Sequence, residues 1–113
     1  MTIPKPPKEF CIDSFEYKEY LGENSWSEPE FAEPITINHC RIDRGAEYTS
    51  TTSGKQLLYN AVIFCYAGIT TPLPDFKLQS IVRFDGQEHV ITKVIPIYEP
   101  YRKVLYSYEL EVV

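Results

Sequence analysis

The chain has 113 residues, 43% of them apolar and 24% charged, which suits one soluble globular domain and is too apolar for a disordered segment. Its net charge of −5 repels a phosphate backbone and argues against nucleic-acid binding through an extended surface. No run of 18 apolar residues exists and the opening Met1-Thr2-Ile3-Pro4 lacks a signal-peptide core, so neither a membrane span nor secretion is expected.

Ile3, Pro4, Lys5, Pro6, Pro7 and Lys8 open the chain as a proline-rich arm, because proline removes backbone donors and favours an extended path. A single β domain is expected from residue 10 to residue 113. Phe10 to Tyr20 reads as a strand of mixed parity, which implies a bend or bulge. Leu21 to Pro34 holds Gly22, Asn24, Pro29 and Pro34 among several acids and reads as a loop. Trp26 and Phe31 are its expected anchors, with Glu28 and Glu30 beside them. In the next strand, Ile35 to Arg44, the apolar positions change parity between Ile37 and Cys40, and a slip in register there would explain the change.

Gly45, Ala46, Glu47, Tyr48, Thr49, Ser50, Thr51, Thr52, Ser53, Gly54, Lys55 and Gln56 have a different composition. Four successive small hydroxylated residues cannot pack a core, so a surface loop is expected, of a length that is often functional. Leu57 to Ala67 reads as the most buried strand, apolar on both faces. A proline-rich turn follows from Thr70 to Pro74, and Asp75 to Ser80 reads either as one helical turn or as an extended lead.

Ile81 to Val113 reads as a three-stranded antiparallel unit. Asp85-Gly86 between apolar runs is a strong hairpin signal, because a type I′ turn needs positive φ at both central residues. A two-residue loop would pair Phe84 with Gln87; a glycine-bulge loop would pair it with Glu88. Pro96 and Pro100 should end the second strand near Tyr98. In the last run Val104, Tyr106, Tyr108, Leu110 and Val112 share one face and Leu105, Ser107, Glu109, Glu111 and Val113 the other. The sum is an all-β chain of five to seven antiparallel strands with long loops, closed as a small barrel or sandwich.

Chemistry is hard to find in these residues. Cys11, Cys40 and Cys65 fall within or beside strands, and no pair among them, His39 and His89 has the spacing of a structural zinc site. The cysteines read as reduced small hydrophobes rather than exposed nucleophiles, so neither catalysis nor a cofactor is expected. No phosphate-cradling glycine loop is present.

The order and spacing of IPKPPKEF, ITINHCRID, PLPDFK, IVRFDGQEHVITKVIPIY and YELEVV resemble the small minor capsid proteins of tailed phages of Gram-positive bacteria, the head-closure or stopper components of the neck. The resemblance implies a small β-barrel assembled into a ring of about twelve copies, a dodecamer, around the DNA channel. The portal or adaptor ring would lie on the head side and a tail-joining or tail-terminator protein on the other. Packaged double-stranded DNA would pass through without specific binding, and the protein would reside in the virion after assembly in the host bacterial cytoplasm. Carried onto this chain, Gly45 to Gln56 would be the channel loop, with Tyr48 forming a constriction. Trp26, Glu28, Glu30 and Phe31 would form the docking loop, and Ile3 to Lys8 an arm laid on a neighbour or on the adaptor above. The two loops could exchange roles. Alternatives are a tail-side connector subunit or, in another class, a small nucleic-acid- or ligand-binding barrel.

Overall fold

The computed structural model describes residues 4–113. Six antiparallel strands close into a barrel. In chain order the ten strands are β1 (Asp13–Lys18), β2 (Tyr20–Glu23), β3 (Pro29–Phe31), β4 (Ile35–Asp43), β5 (Glu47–Thr51), β6 (Gly54–Tyr59), β7 (Ala61–Tyr66), β8 (Ile81–Phe84), β9 (Gln87–Tyr98) and β10 (Leu105–Val112). The barrel runs β1-β4-β7-β10-β9-β8 and back to β1, while β2-β3 and β5-β6 are separate two-stranded hairpins. One 3-10 turn, Lys8–Phe10, precedes β1.

The interior is filled by Phe15 and Tyr17 from β1, Ile37, Cys40 and Ile42 from β4, Ile63 and Cys65 from β7, Val82 from β8, Ile91 from β9, and Leu110 and Val112 from β10. Each Val, Leu, Ile or Phe among them contributes roughly 1.5–3 kcal/mol by leaving water. Phe76, from the irregular stretch after β7, closes one end. Its ring meets Tyr17 edge-on at 5.1 Å and Tyr108 edge-on at 5.5 Å. The polar atoms in this lid are satisfied. Tyr17 Oη accepts from the Lys77 amide at 3.0 Å, Ser80 Oγ accepts from the Tyr20 amide at 2.9 Å, and Tyr108 Oη donates to Asp75 at 2.8 Å.

The Asp85-Gly86 turn has two residues, with φ of 53° and 74°, and pairs Phe84 with Gln87 and Arg83 with Glu88. The parity change in β4 is a bulge. His39 sits at φ 61°, the β1–β4 register shifts there, and Ile37, Cys40 and Ile42 all turn inward. The bulge is also where β4 changes partners, from β1 over its first half to β7 over Arg41–Asp43. In the gap so opened, Thr70 Oγ1 donates to the His39 carbonyl at 2.7 Å and accepts from the Tyr66 amide at 2.9 Å.

Several expectations are corrected. Leu57 to Ala67 is not one strand buried on both faces: it breaks at Asn60 into exposed β6, where Leu58 is 47% exposed, and β7, which alternates with one face inward. Gly45–Gln56 and Leu21–Pro34 are not irregular loops but carry the hairpins β5-β6 and β2-β3. Asp75 to Ser80 holds no helical turn. In β10 Ser107 is buried although it pairs with Tyr66, on the face opposite Tyr108 and Leu110, and a register irregularity against β9 lies between Leu105 and Ser107. Pro96 does not stop β9, which ends at Tyr98 as expected. It is accommodated because β9 pairs with β8 only through Val90, leaving its second half at an edge where no second ladder needs the missing N–H.

Candidate functional site

Strand directions give the barrel two distinct ends. At one lie the end of β4, the start of β7 and the Asp85-Gly86 turn, and from it the β5-β6 hairpin projects. At the other lie the end of β1, the start of β4 and the β9-β10 connection, and from it the β2-β3 hairpin projects. The molecule extends over 48 × 38 × 29 Å.

In the β5-β6 hairpin Tyr48 faces Leu57, Thr49 faces Gln56, Ser50 faces Lys55 and Thr51 faces Gly54, with Thr52 and Ser53 at the tip. Every residue from Gly45 to Leu58 is exposed, Tyr48 at 56%. Thr51 Oγ1 donates to the Gly54 carbonyl at 2.9 Å and tightens the turn. A hairpin with no sheet or helix behind it is at most marginally stable alone. Its root supplies order. Arg44, between β4 and the hairpin, reaches Asp85 at 2.6 Å and Asp13 at 3.1 Å, and Asp13 also accepts from the Ile42 amide at 2.9 Å. The guanidinium holds the Asp85 carboxyl below its usual range. Sequence reasoning did not single out Arg44, because its carboxylate partners lie 31 and 41 residues away.

The β2-β3 hairpin is built around Asn24. Its side-chain carbonyl accepts from the Trp26 amide at 2.8 Å and the Glu28 amide at 3.1 Å, and its backbone amide donates to the Glu28 carbonyl at 2.9 Å. Ser27 takes a positive φ of 59° to complete the turn. Tyr20 and Phe31 pack ring to ring at 5.8 Å at the base, and Lys18 lies over Phe31. Phe31, half-buried, holds the hairpin's two strands together at its base and meets the body through Lys18 of β1. Trp26 is not an anchor to the body, being 81% exposed at the tip.

The β9-β10 connection at the same end was missed by sequence reading, which took Pro100 only as a strand terminator. Tyr98, Glu99, Pro100, Tyr101, Arg102 and Lys103 line a groove there. Glu99 is buried and accepts from Arg102 at 2.6 Å, which fixes the loop. Of the arm, Ile3 lies outside the described residues. Pro4 accepts from Tyr106 Oη at 2.9 Å, and Lys5 donates to the Ala67 carbonyl and lies over the Tyr106 ring, so this part rests on its own barrel. Pro6 and Pro7 lead from there into the 3-10 turn, which Lys8 opens.

The three cysteines are unpaired and buried. Burial, with the nearby Asp13 charge, pushes the Cys40 thiol up to about 12, and burial raises Cys65 as well, so neither is a thiolate near neutral pH. Among the described residues no cluster of His, Cys, Asp or Glu is placed to hold a metal ion.

The arrangement is that of a barrel with a packed interior and an exposed hairpin projecting from each end. Comparison with known proteins gives the family. A family model described as "Minor capsid protein" matches residues 7–112, and the chain belongs to that family. A protein of Lactococcus phage LL-H, described as uncharacterized protein ORF5, is 30% identical over 80 residues, covering 68% of each chain. No solved structure matches. The chain is therefore a bacteriophage minor capsid protein, a component of the virion.

Proposed function

We propose that this minor capsid protein forms the head-closure ring of the phage neck, a stopper below the portal and adaptor that also receives the tail. The observation that carries the reading is the two-ended barrel, with an exposed hairpin at each end and a sealed core between them. A ring of such barrels sets one kind of hairpin into a channel and leaves the other for contacts. The β5-β6 hairpin, residues 45–56 with Tyr48, suits the channel. Its small hydroxylated side chains carry no tight charge pairing with DNA, and it can move without disturbing the core. The hairpin bearing Trp26, Glu28 and Glu30 is the contact element of the other end. The arm, which rests on its own barrel here, is placed to reach a neighbour if released.

The related reading of a tail-side connector subunit uses the same architecture one ring lower. A density map of the neck in DNA-filled particles separates the two. We expect a ring of these barrels directly beneath the portal and adaptor, with residues 45–56 in the lumen. A ring at the tail side of that position would favour the connector reading, and location away from the head–tail junction would overturn both.

A further inference from the structure

Two features at one end of the barrel are complementary and point in opposite directions. The Trp26 hairpin springs from the junction of β1 and β4, and the Tyr98–Lys103 groove from the junction of β9 and β10. In the closed order β1-β4-β7-β10-β9-β8 these junctions are three steps apart on a circle of six, so they lie on opposite flanks at the same height.

Their chemistry matches as well. Between Tyr20 and Phe31 the hairpin carries Glu23, Glu28 and Glu30 and no basic residue. Around these acids Trp26 is presented by a turn already fixed by Asn24, so little freedom is lost on binding. The groove offers Tyr98 and Tyr101, 60% and 67% exposed, with Pro100 between them and Arg102 and Lys103 at the rim. Arg102 bonds Glu99 yet keeps 51% of its side chain exposed, and Lys103 is exposed. The groove's volume, about 540 Å³, is ample for an indole side chain and falls in the range of roughly 300–1,000 Å³ typical of ligand-sized clefts.

We infer that the groove at Tyr98–Lys103 receives Trp26 of a second copy of this chain. The contact is lateral, indole between tyrosines and glutamates against a basic rim. It uses different surfaces on the two copies, so it repeats from copy to copy and can close into a ring. The inference rests on the ring reading proposed above and assigns the Trp26 hairpin to its own ring rather than to the adaptor or tail.

Trp26 is the chain's one tryptophan, so its emission reports the contact directly. The test is sedimentation velocity together with tryptophan emission on the full chain, from micromolar to about 1 mM, at low and high salt. Association is expected to shift emission to the blue, to protect it from acrylamide and to weaken as salt rises. Trp26→Ala, read by sedimentation, and Tyr101→Ala should each weaken self-association at least about tenfold. Mixed together, the two variants should form a dimer and stop there. The first still has a sound groove and the second a sound hairpin, and only one productive contact remains. Circular dichroism of both variants checks that the barrel is intact. Tyr101→Ala associating like the parent, oligomers in which Trp26 stays fully quenchable, failure of the mixture to dimerise, or a monomer persisting at 1 mM would each overturn the inference. Virions carrying Trp26→Ala with a complete ring at the head–tail junction would overturn it too, while leaving the proposed function standing.

Discussion

Gly86 holds φ at +74° in the turn joining β8 to β9, and a Cβ placed there would meet nothing within 4 Å. The cost of Gly86→Ala is therefore conformational rather than steric, roughly 1–2 kcal/mol for a left-handed L-residue. Denaturant unfolding should show a loss of about 1–2 kcal/mol with unchanged slope. No measurable loss would mean that the turn relaxes to another type. Tyr108 gives a pH dependence. Burial first, then its bond to Asp75, pushes its hydroxyl up to about 12 from 10.0. Above pH 10 the unfolded chain gives up this proton while the folded chain keeps it, so stability falls as pH rises through that window. Tyr108→Phe should flatten the alkaline limb of the stability curve and cost about 1 kcal/mol at neutral pH. A variant with the parent's alkaline slope would place that proton elsewhere.

Local chemistry explains which elements were legible in the sequence. Asp85-Gly86 was readable because the turn is specified by its own two residues. The β4 bulge was readable because Ile37, Cys40 and Ile42 cannot all face inward without one. The projecting hairpins were not, because alternation marks a strand only where one face is buried and β5 buries neither. Leu57 and Leu58 suggested a core that is not there, since a single Asn60 divides exposed β6 from buried β7. The β5-β6 hairpin is held at its base and free along its length, so limited proteolysis of the free protein should cut first at Thr52-Ser53. The same bonds should be protected in DNA-filled virions. Equal cutting in both states would count against a role in the channel.

The whole molecule has a Cα radius of gyration of 15.4 Å, against about 13 Å for a compact domain of this length. The excess reflects the projecting hairpins. Removing residues 46–58 and rejoining the chain with a short glycine link should lower the radius measured by small-angle scattering and leave the barrel's near-UV signature in place. Loss of that signature would show that the hairpin helps hold the barrel together. At this scale the sequence led to an all-β barrel or sandwich and to the right family. The division of its surface into two ends was not legible, because it depends on which strands neighbour one another. The groove at Tyr98–Lys103 and the Arg44 clamp were hidden for the same reason.

The β5-β6 hairpin is spliced between β4 and β7, strands that share only three ladder pairs. A pull on its tip enters through two adjacent strand ends and loads those bonds one after another, like the teeth of a zip, instead of all at once. Thr70, wedged farther along the same gap, is where such an opening would be arrested. Pressure on the tip therefore bears first on the pairs Asp43–Val62, Ile42–Ile63 and Arg41–Phe64, the second of which belongs to the core.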